Sequence, residues 1–294
     1  MTHDHKHDLE GSMYALVGIL AFSMTLTASR VIVPVLGGTF VGLGRAIIAA
    51  SLAIIVLVSR AEKFPERRYW RSICITALGV VFGFPLLSSL ALKTVPAIHA
   101  VVITGLLPAM TATLAVLRTR ERTTPLFWAA VALGVVGILV FAFIEGAGTP
   151  KPADALLFGA GLLGAVGYVE GGILAKEMDG WRVISWALVF SVPFLLPPVL
   201  LNLPSSVPSD PIVWLCFGYV GAVSMYLGFF AWYKGLALAG IARSSALQVL
   251  QPLFSMIWAV LLLHEVIHIQ TIFAALIVIS SATLSRFARM RRSI

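Results

Sequence analysis

The sequence predicts an all-α membrane protein of ten transmembrane helices, arranged as two inverted five-helix repeats around a central cavity. Three observations predict this fold: the composition, the distribution of basic residues and an internal repeat. Of the 294 residues, 59% are hydrophobic and 12% are charged, against about 45–50% and 25% in soluble domains. The mean hydropathy of +0.97 agrees. This composition excludes soluble enzymes and soluble nucleic-acid-binding proteins as classes.

Ten apolar runs, bounded by charged residues, prolines and glycines, predict the transmembrane helices. Each run is close to the ~20 residues that cross the hydrocarbon core of a bilayer. The first five cover 13–33, 40–59, 70–92, 97–117 and 125–144, and the second five cover 154–176, 182–203, 212–236, 244–263 and 267–286. The expected organisation is a flexible N-terminal tail (1–12), a first repeat (13–144), a linker (145–153), a second repeat (154–287) and a basic C-terminal tail (288–294).

Lysines and arginines are distributed asymmetrically about these spans. If the N-terminus lies on the inner side, all but four of the 21 fall on that side or at the span ends that face it. The exceptions are Arg30, Arg45, Lys93 and Lys151. Cytoplasmic loops carry the Lys/Arg excess, so we expect both termini in the cytoplasm. The net charge of +8 follows from this topology and does not indicate a nucleic-acid partner.

The two halves of the chain match each other at a constant offset of 144 residues. The matching pairs are Trp70 with Trp214, Leu92 with Leu236, Pro108 with Pro252, and Glu121 with Glu265. They lie in or beside corresponding helices of the two halves, so each half is one five-helix repeat.

An odd number of helices per repeat requires the second repeat to cross the membrane in the opposite sense to the first. The loop charges agree: RAEKFPERRYWR has five basic residues and its counterpart NLPSSVPSDPIVW has none, while RTRER has three and HEVIH has none. Inverted repeats are a transporter architecture, with the substrate site near the midplane between the halves. A duplicated helical scaffold without a transport pathway is the alternative interpretation.

The stretches LALKTVPAIHAVVITGLLPAMTATLAVLRTRERTTPLFWAAVALG and WYKGLALAGIARSSALQVLQPLFSMIWAVLLLHEVIHIQTIFAALIV resemble the EamA repeat of the drug/metabolite transporter superfamily. The features that carry the resemblance are the helix-central prolines (Pro108, Pro252), the glutamate after each fourth helix (Glu121, Glu265) and Arg45 in the second span. The resemblance covers about residues 13–286. It implies a ten-helix transporter, in bacteria commonly an exporter of amino acids or related metabolites in the inner membrane. The chain departs from the family pattern at Arg120 and His264, where a glycine normally precedes the glutamate.

Polar residues within a span tend to face the bundle interior or a wet cavity, and three predicted helices carry them on one face. The residues at this helical spacing are Ser244, Gln248, Gln251 and Ser255 in the ninth span, Thr104 and Thr111 in the fourth, and Ser23, Thr27 and Arg30 in the first. The pattern predicts a central hydrophilic cavity. Interhelical hydrogen bonding is the alternative for the serines and threonines. Gln248 and Gln251 favour the cavity, because two amides on one face need more partners than packing offers.

Tyr226 is the aromatic candidate for the cavity, because a phenol in mid-span needs a partner for its hydroxyl. Its repeat partner is Phe82, and ordinary packing is the alternative for both. Pro108 and Pro252 each remove a backbone donor in mid-helix and kink the helix. The two kinks are either pivots of a conformational change or fixed bends that shape the cavity.

Glu170 is the one acidic residue within a predicted span. It is a candidate for binding a substrate ammonium group or for carrying a proton. The alternative is a structural ion pair, for which Arg45 and Lys234 are the candidate partners. Arg45 in turn fits the family position, a structural charge pair or a residue that snorkels to the interface.

Residues His264 to His268 read HExxH, the zinc-protease signature. The motif falls in a short outer loop, and Glu265 is already accounted for as the repeat partner of Glu121. We therefore expect no metal and no cofactor, with an intramembrane zinc metalloprotease as a minor alternative.

These observations predict a secondary transporter, not an enzyme, that exports small metabolites by alternating access. The resemblance implies neutral and aromatic amino acids as substrates. The expected partners are a small-molecule substrate and the lipid bilayer. The alternative function is proton-coupled efflux of lipophilic cationic drugs through Glu170.

Overall fold

The computed structural model describes residues 2–119, 124–145, 151–241, 244 and 247–290, and within these residues all regular secondary structure is helical. The helices follow the order that the hydropathy predicts, and we number them α1–α10 by span. Their bounds are Thr2–Ser23 and Thr25–Leu36 (α1), Gly38–Ser59 (α2), Arg67–Ala91 (α3), Ala97–Thr104 and Leu107–Thr119 (α4), Pro125–Glu145 (α5), Pro152–Leu174 (α6), Gly180–Leu201 (α7), Pro211–Ala239 (α8), Leu250–Leu263 (α9) and Ile269–Met290 (α10).

Seven of these helices, α1–α4 and α6–α8, contain a stretch that is long and apolar enough to cross a membrane. The other three contain shorter apolar helices, Pro125–Phe141, Leu250–Leu263 and Ile269–Ser281. The predicted all-α membrane fold is confirmed. Three ends differ most from the expected spans: α1 begins at Thr2, inside the segment 1–12 expected as a tail, the helix of the ninth span begins at Leu250 and not at 244, and α10 continues to Met290.

Helices of one repeat pack against helices of the other repeat, and the contacts occur as equivalent pairs. In the first repeat α1 packs on α8 and α9 of the second, and correspondingly α6 of the second repeat packs on α3 and α4 of the first. The remaining pairs, α2 with α7 and α5 with α10, join each helix to its own counterpart. This contact pattern is that of a two-fold relation between the five-helix halves.

One helix of each repeat contains a π-helical segment at an equivalent position. The segment in α3 is Leu78–Gly83 and that in α8 is Tyr219–Leu227. Both segments end at residues that the 144-residue offset aligns. A π-helical turn widens the helix and frequently marks a functional site, and the sequence alone did not indicate either segment.

The two spans with prolines at Pro108 and Pro252 are interrupted just before each proline. The turn of the fourth span is at Gly105–Leu106. The turn of the ninth span is at Gln248–Val249, directly before Leu250, and we count it as part of α9 from here on. Because proline has no amide hydrogen, the carbonyl four residues before it loses its helical partner. In α9 the carbonyl of Gln248 instead accepts a 3.0 Å hydrogen bond from the amide of Gln251.

Glycines set the distance between helices of the two repeats. A Cβ added to Gly79 of α3 would lie 2.6 Å from the amide nitrogen of Gly167 in α6. In the equivalent pair of α1 and α8, a Cβ on Gly235 would lie 2.6 Å from the amide nitrogen of Ala15. Small residues of this kind let the backbones of membrane helices approach closely.

We expect Gly79→Ala to lower the melting temperature of the protein in detergent, because the added methyl group meets the backbone of α6 and overpacking costs about 1–3 kcal/mol. The matched control is Gly218→Ala in α8, where nothing lies within 4 Å of the added Cβ and the helix propensity of alanine is stabilising. A Gly79→Ala protein that melts at the wild-type temperature would contradict the close contact.

Candidate functional site

A central cavity lies between the two repeats, and its first lobe is formed by α4 and α9 where these helices are interrupted. This lobe is narrow, with a cavity volume of about 20 Å³. Its polar and proline lining consists of Thr104, Pro108, Gln248, Gln251, Pro252 and Ser255. Thr104 is the repeat equivalent of Gln248, and Pro108 is that of Pro252. The two helices therefore contribute corresponding positions to one wall.

The second lobe, also of about 20 Å³, adjoins the first and shares Leu26, Phe84 and Gln251 with it. Its remaining lining comes from α1, α2, α3, α6 and α8: Phe22, Thr25, Arg45, Val80, Gly164, Tyr168, Ser224 and Phe229. Val80 and Ser224 are repeat equivalents, one from each π-helical segment. All four irregular turns thus border the cavity.

Polar atoms without partners locate the surface of the cavity that a ligand would contact. Among the residues that the structure describes, buried side-chain atoms without a hydrogen-bond partner belong to Thr27, Arg45, Thr76, Ser89, Arg182, Trp232, Gln248 and Gln251. Of these, Arg45, Gln248 and Gln251 line the cavity. Leaving a buried polar atom unpaired costs about 1–3 kcal/mol, and more for a charged group.

Arg45 is the only charged side chain among the described residues that line the two lobes. It is 3% exposed, and its Nε and Nη1 atoms have no hydrogen-bond partner. The hydroxyls of Thr25 and Ser224, which line the same lobe, are bonded to each other at 2.6 Å. The guanidinium is therefore the group in this lobe with unused hydrogen-bonding capacity and a net charge.

Aromatic rings form the apolar part of the second lobe. The Phe22 ring stacks on that of Tyr168, with centroids 6.2 Å apart and an interplanar angle of 20°, and lies 4.9 Å from the Phe229 ring. Tyr168 is also 5.2 Å from the ring of Trp232. The lobe therefore combines one guanidinium with an aromatic surface.

The residues that the sequence proposed for the cavity divide into two groups. Thr104, Gln248, Gln251 and Ser255 line it. Pro108 and Pro252, which were predicted as helix kinks, and Arg45, which was singled out by the family resemblance, line it as well. The others do not line either lobe: Ser23, Thr27, Phe82, Thr111, Glu170, Tyr226 and Ser244. The helical spacing identified faces of α4 and α9 that contribute to the cavity lining. The same faces also carry Thr111 and Ser244, about one turn away, whose hydroxyls bond to backbone carbonyls.

Of three further hydroxyl groups that lie beyond the cavity, two bond to backbone carbonyls and one has no partner. Thr111 Oγ1 donates to the carbonyl of Leu107 at 2.8 Å, and Ser244 Oγ donates to that of Gly235 at 3.2 Å. Thr27 is fully buried and its hydroxyl has no partner.

Ser23 joins α1 to α9. Its carbonyl accepts a 2.6 Å hydrogen bond from Ser255 Oγ, and its hydroxyl accepts one of 3.0 Å from Trp258 Nε1. The residue thus has the interhelical role that was the alternative to a cavity position.

Tyr226 faces α7 instead of the cavity. Its hydroxyl lies 2.9 Å from Ser185 Oγ, and its ring is 4.6 Å from that of Phe230. Since Ser185 gives its own proton to the carbonyl of Trp181, Tyr226 is the donor of this bond. The tyrosine that lines the cavity is Tyr168 of α6, which the sequence analysis did not single out.

Glu170 forms an ion pair with Arg118 at the far end of α4. Arg118 Nε lies 2.5 Å from Oε1 of the glutamate, and Ser72 Oγ lies 3.5 Å from Oε2. The carboxylate side chain is 9% exposed and that of the arginine 55%. The partner of Glu170 is therefore Arg118, and not Arg45 or Lys234 as the sequence suggested. Sequence spacing could not predict this pair, because Arg118 lies at the end of a neighbouring helix.

Glu265 caps the first turn of α4, in the opposite repeat. Its two carboxylate oxygens accept hydrogen bonds of 2.8 and 2.7 Å from the amides of Ala97 and Ile98. The first amides of a helix lack partners within it, and a negative charge there also interacts favourably with the helix dipole. This interaction gives the glutamate a structural role. Its repeat partner, Glu121, lies outside the described residues.

His99 and Asp154 join the same end of α4 to α6. His99 Nε2 lies 2.6 Å from Asp154 Oδ1 and both side chains are buried, while Asp154 Oδ2 accepts a 2.7 Å bond from the amide of Lys151. With the pair of Arg118 and Glu170 at the other end, these two helices from different repeats are bonded at both ends.

The HExxH residues do not form the arrangement that a metalloprotease requires. Such a site needs both histidines on one face of a helix, whereas His264 has a left-handed φ of 52° and the segment that follows it is not helical. Glu265 is already engaged with α4. Within the described part of the chain, no three His, Cys, Asp or Glu side chains are grouped so that they could hold a metal.

The family model of the EamA-like transporter family matches the chain twice, over residues 9–143 and 151–287. The chain belongs to this family. Each match covers one five-helix half, which confirms the two-repeat architecture. Membership makes the protein a multi-pass membrane transporter and not an enzyme, so the metalloprotease alternative is wrong.

Two proteins of Bacillus subtilis (strain 168) are similar to this chain over most of their lengths. The uncharacterized transporter YdeK is 40% identical over 256 residues, which are 87% of this chain and 89% of YdeK. The uncharacterized transporter YyaM is 24% identical over 251 residues, 82% of each chain. A crystal structure aligns with 96% of this chain and 98% of its own at 18% identity, with a TM-score of 0.67, and shows that the fold is shared.

We expect Glu265→Ala to destabilise the protein by about 1–2 kcal/mol, because two amides of α4 lose their cap. The matched control is Glu66→Ala, which removes a carboxylate that is 69% exposed and paired only with Arg68 among the described residues, so its effect should be near zero. Thermal unfolding in detergent measures both. Equal melting temperatures for the two variants would refute the capping role.

Proposed function

We propose that this transporter exports small metabolites, chiefly neutral and aromatic amino acids, by alternating access. The observation that carries the proposal is the set of unpartnered groups of Arg45, Gln248 and Gln251 on a cavity between the repeats. A guanidinium suits a carboxylate, amide oxygens accept from an ammonium group, and the rings beside Phe22 suit an apolar side chain. These are the parts of a neutral or aromatic amino acid.

Efflux of lipophilic cationic drugs has less support from the same cavity. A cationic drug would lie beside the guanidinium of Arg45, and like charges repel strongly where the dielectric is low. The carboxylate that this hypothesis requires, on Glu170, lies outside the cavity and faces Arg118.

We also propose a location in the bacterial inner membrane with both termini in the cytoplasm, supported by the Lys/Arg excess on one side. The connection from α2 to α3 belongs to that side and carries Arg60 and Lys63, and α3 begins there with Arg67. In this orientation the Glu265 cap lies at the outer end of α4, and the pair of Arg118 and Glu170 lies at its inner end.

In this proposal the irregular turns of α3, α4, α8 and α9 are where the helices bend during alternating access. Helical hydrogen bonds are already displaced at these turns, so a further change in angle breaks few additional bonds. The turns come as two equivalent pairs. A bend in one repeat can therefore be matched by the opposite bend in the other.

We expect Gln248→Ala to raise the KM for phenylalanine in proteoliposomes about tenfold, because two polar atoms of the cavity that lack protein partners would no longer bind substrate. The matched control is Gln270→Ala, which removes an exposed amide of α10. Glu170→Gln should leave KM near the wild-type value, since that carboxylate lies outside the cavity.

Saturable flux of labelled phenylalanine, tryptophan, threonine or methionine above that of empty vesicles would support the amino-acid substrates. No flux of any amino acid would refute them. Unchanged KM in Gln248→Ala would place the substrate elsewhere.

We expect Pro252→Ala to slow the maximal rate of transport about fivefold, because the new amide can bond the carbonyl of Gln248 and a helical hydrogen bond adds ~1 kcal/mol to the barrier against bending. The control is Pro197→Ala in α7, a proline exposed on the surface of the helix. Initial rates at saturating substrate measure the effect. A wild-type rate in Pro252→Ala would favour the fixed-bend interpretation.

A further inference from the structure

We infer that the cavity recognises its substrate through a carboxylate and not through an ammonium group, so that it binds small apolar monocarboxylates that lack an amine as well as amino acids. The inference rests on the proposed function and narrows its substrate class. It comes from the charges of the cavity lining, its unpartnered atoms and the position of its aromatic rings.

The charge of the cavity is one-sided. Among the described residues, the lining of the two lobes includes the guanidinium of Arg45 and no aspartate or glutamate. The buried carboxylates of the helix bundle are engaged elsewhere: Glu170 with Arg118, and Asp154 with His99. An anionic group on the substrate therefore meets an opposite charge in the cavity, whereas a cationic group does not.

The guanidinium also has hydrogen-bonding capacity that the protein leaves unused. Arg45 is almost fully buried, and two of its nitrogens have no partner. A guanidinium stays protonated at neutral pH, and a buried charge without a partner is costly. A bound carboxylate would both neutralise this charge and accept from its donors, with hydrogen bonds roughly twice as strong as those between neutral groups.

An ammonium group would find only neutral acceptors. The unpartnered Oε1 atoms of Gln248 and Gln251 can each accept one of its hydrogens, but Arg45 repels its charge in the same cavity. Removing the amine from a substrate therefore costs less binding than removing the carboxylate. The amide NH2 groups of these glutamines can also donate hydrogen bonds to a carboxylate. An ammonium group has no acceptor and cannot receive them.

The aromatic surface lies in the same lobe as the charge. The rings of Phe22, Tyr168 and Phe229 and the guanidinium of Arg45 line the second lobe together. A substrate with a carboxylate at one end and a ring at the other can contact both at once. This juxtaposition defines the substrate class as aryl and alkyl monocarboxylates, including amino acids.

The repeat does not duplicate this site. The residue aligned with Arg45 in the second repeat is Val189, so among the described residues the cavity lining has one guanidinium although the scaffold is two-fold. A second intramembrane arginine, Arg30, is not part of the cavity lining and donates through Nη1 to the carbonyl of Leu92. It provides a matched control for charge removal.

The test measures the binding of three compounds to the purified full-length protein by thermal shift at neutral pH: L-phenylalanine, 3-phenylpropionate and 2-phenylethylamine. We expect 3-phenylpropionate to bind within about fivefold of phenylalanine and 2-phenylethylamine at least about tenfold more weakly, because the ionic contact to Arg45 contributes most of the polar affinity. Competition with labelled phenylalanine flux in proteoliposomes should give the same order.

Variants of the two arginines separate recognition from stability. Arg45→Gln should weaken both carboxylates about tenfold or more while leaving the weak binding of 2-phenylethylamine unchanged or improved. Arg30→Gln should preserve the order of the three compounds. If Arg45→Gln does not fold, the test uses the wild-type protein and Arg45→Lys. Both should bind the two carboxylates more tightly than 2-phenylethylamine, because lysine keeps the positive charge.

Binding of 2-phenylethylamine as tight as that of phenylalanine would overturn the inference, and so would failure of 3-phenylpropionate to shift the melting temperature. A wild-type order of the three compounds in Arg45→Gln would overturn it as well. Binding of 3-phenylpropionate without any flux of amino acids would refute the amino-acid substrates and support carboxylate recognition.

Discussion

The scarcity of water in the hydrocarbon core is the constraint on which the rest of this structure depends. A polar group in the core must find its partner within the protein, and many buried groups do so across helices, as Ser255 of α9 does when its hydroxyl donates to the carbonyl of Ser23 in α1. Such bonds, together with close glycine contacts, hold the two repeats together. Against this background the unpartnered guanidinium of Arg45 is a departure that packing does not explain. Polar groups of this kind in a membrane interior are characteristic of functional sites.

The sequence predicted the helices and the repeat because both are written in local patterns of hydropathy, charge and self-similarity. It also placed Gln248 and Gln251 on the cavity, since an amide in mid-span has few other uses. It did not predict that Tyr168, and not Tyr226, lines the cavity. Both tyrosines lie within a span, and which of them faces the cavity depends on the helices packed against each. The partner of Glu170 was missed for the same reason: Arg118 is brought near by the packing of α4 on α6, which no spacing along the chain encodes.

Irregular backbone is tolerated at membrane depth only where it is buried in protein or lines a cavity. The proline turns at Gly105–Leu106 and Gln248–Val249 and the two π-helical segments satisfy this rule, since each contributes residues to the cavity lining. Pro108 and Pro252 indicate the first pair of turns in the sequence. No residue pattern of this kind indicates the π-helical segments of α3 and α8. The duplication then ensures that both kinds of turn occur twice, once in each repeat.

A two-fold scaffold and a one-sided site have different consequences for transport. Under the proposed alternating access, equivalent contacts in the two repeats would give inward-facing and outward-facing forms of similar energy, so that neither form traps the protein. A site with the same symmetry would have to recognise a substrate by two identical halves. Arg45 has Val189 as its counterpart, so the charge is confined to one repeat while the ring of Tyr168 comes from the other. In the proposed mechanism, a substrate that contacts both Arg45 and Tyr168 would bridge the two repeats, so a relative movement of the repeats would change the site as well as its access.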